Sequence, residues 1–149
     1  MLPLVSAAGG VDADAPRPGS VNVSSVREDD VVFDYSRRQA LADGVLVDVT
    51  RQASLAEMRG GFTVPVAVTA ALWSAIEAIP DSLAGIADVR GRLHDVLWLA
   101  RVAAHRHATT FAVHLPFAGT RKRTQVLRLD VGPDDHGSPC VTIGFPEDF

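Results

Sequence analysis

Three stretches in the last third of the chain alternate strictly between apolar and polar side chains. Phe111, Val113, Leu115 and Phe117 make the first series, Leu127, Leu129 and Val131 the second, and Val141, Ile143 and Phe145 the third. A period of two puts each series on one face of a β-strand. The intervening "AGTRKR" and "GPDDHGSP" have the residues of long hairpin loops. A three-stranded antiparallel meander is therefore expected, with one apolar face and another carrying His114, Arg128, Asp130, Cys140 and Thr142. The apolar face needs a cover. The natural one is a long helix expected from about Ile86 to His105, where Val89, Leu93, Val96, Leu97, Ala100 and Ala104 fall on one stripe. The class this implies is α+β, with short helices and strands ahead of one long helix packed on the C-terminal meander.

Upstream, "SRRQ" from Ser36 to Gln39 fits a capping box at a helix start. Gly44 is placed to end that helix in a left-handed conformation. Val45, Val47 and Val49 then alternate as a strand. A second capping box, "SLAE", opens a helix at Ser54, and Gly60 and Gly61 end it. Pro65 inside "FTVPVAVT" predicts an edge strand or an extended connection, because proline cannot donate to a ladder. Thr69 caps "AALWSAIEAI", which stops at Pro80 and has Leu72, Trp73, Ile76 and Ile79 at helical spacing.

Residues 1–30 mix Gly, Pro, Ser and Asp without a period, and are expected to be a flexible arm with a short strand at Val21–Val26. A single α+β domain is expected over 31–149, opening on the strand "VVFDY". The composition is that of an ordinary globular domain: 47% hydrophobic, 21% charged, with a formal charge of −4. That charge is too mild to argue globally for nucleic acid or for a DNA mimic. One cysteine, Cys140, points to a reducing compartment. "MLPLVSAAGG" is a poor signal peptide, and no apolar run reaches the roughly 20 residues of a membrane helix. The expectation is a soluble cytoplasmic protein.

Four blocks in order, "YSRRQALADGVLVDVT", "FTVPVAVTAALW", "GRLHDVLWLA" and "GPDDHGSPCVTIGFPED", carry a resemblance. Together they resemble small uncharacterised proteins carried on bacterial plasmids, integrative elements and phages, over about Val31 to Asp148. His94 departs from it, standing where a bulky aromatic is expected. The resemblance transfers no activity to any residue. It implies a context in which small proteins often act on host machinery, host defences included.

Candidate sites follow from residue type and spacing. Asp43 and Asp48 are read as structural: Asp43 as a turn residue at a helix end, Asp48 as a strand aspartate that needs a partner, such as an arginine, if both faces of its strand are covered. No base or acid is fixed beside them, so a catalytic dyad is not supported. His94 and His105 are eleven residues apart on one helix, about 16 Å, and cannot share an ion. With no H-E-x-x-H and no Cys/His cluster, neither a metal nor a cofactor is expected. His94, Trp98, Arg101 and His105, spaced 4, 3 and 4, make a second helix stripe with the residue types of binding hot spots. Arg121, Lys122 and Arg123 at a hairpin tip suit phosphates or an acidic protein surface, with no aromatics interleaved for base stacking. Cys140 has no fixed catalytic partner, although His114 is a possible cross-strand neighbour.

The function expected is a non-enzymatic interaction protein of a mobile element that binds and modulates a host protein complex, most concretely as an inhibitor of a host defence such as CRISPR or restriction. A nucleic-acid-associated protein using the basic hairpin is the alternative. An uncatalogued small enzyme with a cleft near Asp48 and His94 is the third. A pocket collecting Asp48 and His94 would favour the enzyme. A basic surface joining the hairpin to Arg101 and Arg106 would favour nucleic acid. An exposed aromatic patch would favour a protein partner.

Overall fold

The computed structural model describes residues 16–17, 19–20, 36–55 and 57–149. Contacts divide the chain into Met1–Ser36 and Arg37–Phe149. In the first unit, β1 (Pro16–Arg17) and β2 (Gly19–Ser20) pair antiparallel. The strands expected at 21–26 and 31–35 lie outside the described residues.

The second unit runs α1 (Arg37–Ala42), β3 (Leu46–Asp48), α2 (Thr50–Ala53), β4 (Val66–Thr69), α3 (Ala70–Glu77), α4 (Val89–His105), β5 (Thr110–His114), β6 (Thr124–Pro133) and β7 (Pro139–Gly144). The expected meander is present as β5–β6–β7, but it is part of a larger sheet. Strand order is β3-β4-β7-β6-β5, with β4 parallel to β7 and the other neighbours antiparallel. The correction comes from Pro65. It stands just before β4, so its missing N–H costs the ladder nothing, while its carbonyl accepts from the Val141 amide at 2.9 Å. The four residues of β4 are all buried, as befits an interior strand with a parallel neighbour.

One face of the sheet holds the core. Val66, Val68, Val113, Leu127, Leu129, Val141 and Ile143 meet Leu72 and Ile76 of α3 and Leu93, Val96, Leu97 and Ala100 of α4. Each fully buried large aliphatic chain contributes about 1.5–3 kcal/mol, more than a typical cap. This face therefore sets the position of the helices. α4 starts three residues later than the stripe suggested. Asp88 accepts the Gly91 amide at 2.7 Å as N-cap, and Ile86 stays outside in solvent.

Arg92 is buried in the apolar stripe, an arrangement the stripe did not anticipate. Its Nε donates to the Ile76 carbonyl at 2.9 Å and its Nη2 to that of Ala75 at 3.0 Å. These are carbonyls at the end of α3, where the helix leaves acceptors unsatisfied. Burial lowers the Arg92 pKa from its ordinary value.

Turn chemistry decides the N-terminal corner. α1 ends as expected: Gly44 has φ +79°, Val45 N–H donates to the Ala40 carbonyl, and Gly44 N–H to that of Leu41. At its start, the Arg37 and Arg38 amides donate to the two carboxylate oxygens of Asp135 at 2.9 and 3.0 Å. The helix expected from Ser54 is displaced. Asp48 accepts from the Thr50 amide at 3.0 Å just ahead of α2, whose N-cap is Val49 and whose C-cap is Ser54. A single turn follows, with the Glu57 and Met58 amides on the Ser54 carbonyl.

Candidate binding surface

The exposed stripe of α4 sits where the helical spacing predicts. Packing of Leu93, Val96, Leu97 and Ala100 onto the sheet turns His94, Trp98 and His105 outward, and Trp98 keeps 42% of its surface in solvent. Arg101 is half-buried. Its guanidinium lies against the Gly60 backbone, so closely that a Cβ there would fall 3.1 Å from Arg101 Cζ. Gly60 also has φ +71°, so the "RGG" turn gives Arg101 both a flat seat and a required conformation. Among the described residues, no three His, Cys, Asp or Glu side chains are grouped to hold a metal ion.

The hairpin tip between β5 and β6 has a pinned backbone and free cations. Leu115 N–H donates to the Arg123 carbonyl at 2.9 Å, and Ala118 N–H to the Ala78 carbonyl at 2.8 Å. Gln125, buried, donates through Nε2 to the Leu115 and Lys122 carbonyls at 3.3 and 3.2 Å. The Phe117 ring packs beside Phe145 at 6.3 Å. Arg121, Lys122 and Arg123 are all exposed on this support.

The two features share a stretch of sequence in which charge is segregated. From Val96 to Leu129 there are six Arg or Lys residues (Arg101, Arg106, Arg121, Lys122, Arg123 and Arg128) and no Asp or Glu. All 18 carboxylates lie elsewhere. The stretch forms most of α4, all of β5, the hairpin tip and the first half of β6. The mild net charge of the whole chain concealed this. Counting charge in windows along the chain would have found it.

The aspartates, by contrast, are occupied with backbone. Asp48 is exposed and pairs with no arginine. Its Oδ1 accepts from the Thr50 hydroxyl at 2.5 Å as well as from the Thr50 amide, and Thr50 Oγ1 in turn accepts from the Val66 amide at 3.1 Å. Asp43 lies in the turn that closes α1, its amide on the Gln39 carbonyl at 2.8 Å. Asp134 accepts from the His136 and Ser138 amides at 2.8 and 2.9 Å, which holds its pKa below the usual carboxylate value. Asp148 Oδ2 accepts from Thr69 Oγ1 at 2.7 Å and from the Phe145 amide at 2.9 Å. Gly144 lets this turn close, since a Cβ there would sit 2.5 Å from Thr69 Cγ2.

A shallow cleft of about 310 Å³ is lined by Val45, Leu46, Thr69, Thr142, Asp148 and Phe149. Neither Asp48 nor His94 lines it, and they stand on different elements, β3 and the outer side of α4. Cys140 lies opposite Gly132 and His114 opposite Thr124, so β6 separates the two. Burial raises the Cys140 pKa, which keeps the thiol protonated.

Taken as a class, this is a small α+β protein with a mixed five-stranded sheet, an exposed tryptophan on its longest helix and exposed cations at one hairpin tip. The chain belongs to a family of unknown function, DUF6573, whose model matches residues 24–149. The match starts at Ser24, upstream of the Val31 at which the resemblance in sequence was expected to begin. No curated protein and no solved structure matches the chain.

Proposed function

We propose that the chain is a non-enzymatic binding protein of a mobile genetic element that docks on a host protein complex, a CRISPR or restriction system being the most concrete case. The mobile-element context rests on the resemblance of the four sequence blocks. The observation that carries the binding role is Trp98. It is a large aromatic ring left 42% exposed on a helix whose neighbouring stripe is fully packed. Tryptophan and arginine are enriched among residues that dominate binding energy, and here Trp98 and Arg101 are one helical turn apart. The exposed cations Arg121, Lys122 and Arg123 favour a partner that presents carboxylates.

The test is capture of partners from host lysate by the tagged chain, with and without nuclease, for wild type and Trp98→Ala. The expected result is a protein partner that survives nuclease. Its affinity for Trp98→Ala is weaker by more than about 1 kcal/mol, at an unchanged melting temperature. The exposed cations of the hairpin tip, Arg121, Lys122 and Arg123, also support a second reading, a nucleic-acid-associated protein. That reading requires capture to vanish with nuclease and affinity to fall steeply with salt, by a log–log slope of about 0.9 per duplex phosphate contact.

A further inference from the structure

We infer that the outer edge of β5 receives an extended acidic segment of the protein partner as an added β-strand, an inference that rests on the protein-binding role proposed above. The register shows which groups are available. Leu115 N–H bonds to Arg123 and Leu129 N–H to the Thr109 carbonyl, so odd-numbered residues from Thr109 to Leu115 point their amides and carbonyls at β6. Thr110, Ala112 and His114 therefore point theirs away from the sheet. All three residues are exposed, and no strand pairs with this edge among the described residues.

Native edges are commonly blunted by lysine, proline or a bulge, and the sequence "TFAVH" supplies none of these. The other edge strand, β3, has three residues against five here. Five residues span about 17 Å. Cations bracket that length. Arg106 precedes β5, and Arg121, Lys122 and Arg123 follow it, held beside Leu115 by the Arg123 carbonyl. Ala112 is opposite Val126, which is 54% exposed and offers an apolar spot in the middle.

Alternating N–H and C=O groups match a polypeptide backbone, and strand addition obtains its affinity from them. The cations at both ends match side-chain carboxylates. A nucleic acid would engage the cations and leave the edge amides idle. The geometry therefore favours a peptide with β-forming residues at its centre and acidic residues on both flanks.

The probe is a blocked synthetic peptide with a Thr-Val-Thr centre and two glutamates on each side, titrated into the full chain while amide hydrogen exchange is followed residue by residue. At saturation, exchange at Thr110, Ala112 and His114 is expected to slow by about tenfold or more. A glutamine version of the peptide is expected to bind at least about tenfold more weakly. Ala112→Pro removes an outward N–H that β6 does not use, so the variant keeps its ladder and is expected to lose binding. A peptide N-methylated along one edge makes the same test from the ligand side should that variant fail to fold.

Four results would overturn the inference: no binding at about 1 mM peptide, binding with unchanged exchange at those three amides, equal binding of the N-methylated peptide, or concentration-dependent protection without peptide, which indicates pairing between copies. Trp98→Ala, scored on the captured partner, keeps the two levels apart. Loss there, with no protection at β5, removes the edge and leaves the binding role standing. Protection at β5, with no effect of Trp98→Ala, does the opposite for the helix stripe.

Discussion

The face of the sheet opposite the core is closed at one end and bare at the other. Over β4 and β7 it is closed, with Ala67 at 1% exposure and Cys140 at 4%. There Arg37 donates to Thr142 Oγ1 at 2.6 Å and to the Val141 carbonyl at 2.9 Å, and Asp148 holds Thr69. Over β6 and β5 it is bare, with Thr110, Ala112, His114, Thr124 and Val126 in solvent. Arg128 stands at the border, its guanidinium 4.9 Å over the Phe149 ring and 3.9 Å from Asp130. The difference teaches how this chain uses charge. At the closed end, aspartates are spent on backbone amides and hydroxyls that fix turns. At the bare end, Arg121, Lys122 and Arg123 at the hairpin tip are exposed and remain available to a partner.

Substitutions sharpen that contrast. The largest effect is expected from Gly144→Ala, which forces a methyl against Thr69 and Asp148 where the closed end is tightest. It should lower stability by about 2–3 kcal/mol in urea melts. A wild-type midpoint would mean that the corner yields and that its closure is not a constraint.

Asp48→Ala should cost less, about 1 kcal/mol, because Asp48 is exposed and loses hydrogen bonds to Thr50 rather than a buried ion pair. Binding to the captured partner should be unaltered. A variant with wild-type melting and no binding would move the functional surface to β3.

Asp134 gives the closed end a pH dependence. Its folded pKa is depressed, first by the His136 amide and then by that of Ser138. The stability it contributes is therefore fully present above the unfolded carboxylate pKa, near 4, and is lost as pH falls through the lower folded value. Asp134→Asn should lower stability in the neutral region, where that contribution is present, and flatten the acid limb so that the two profiles converge at low pH. An acid limb identical to wild type would show that these amides do not discriminate between the two forms.

The smallest effect on folding is expected from changing Arg121, Lys122 and Arg123 together to Ser. Stability should stay within about ±0.5 kcal/mol per position, as at ordinary surface sites. Partner affinity should fall and its salt dependence should weaken. Loss of cooperative unfolding would show that the tip belongs to the clamped part of the molecule.

The bare half was the more legible half in the sequence. A period of two marked β5 and β6, as it did β7 beside them, and a helical period separated the packed stripe of α4 from His94, Trp98, Arg101 and His105. The clamps were harder to see because their partners are distant in the chain. Nothing near Arg37 announces Asp135, ninety-eight positions away. Nothing near Thr69 announces Asp148, seventy-nine positions away. Pro65 misled for a local reason: it reads as an edge signal, yet one position before an interior strand its missing donor is harmless. Arg92 was hidden because an arginine in an apolar stripe looks like an interruption until α3 presents its terminal carbonyls. Asp48 had two local outcomes, an ion pair if covered or a turn if exposed, and only the register of β3 against β4 decides between them.

The carboxylate-free stretch from Val96 to Leu129 is the proposed contact surface for the partner. The most direct test of that proposal is a hydrogen-exchange footprint of the full chain, free and in complex with the captured partner. Protection is expected over residues 94–123, covering the outer stripe of α4, β5 and the hairpin tip, with little change over 37–48 and 134–149. Protection confined to those two flanking segments, with 94–123 exchanging as in the free chain, would contradict it.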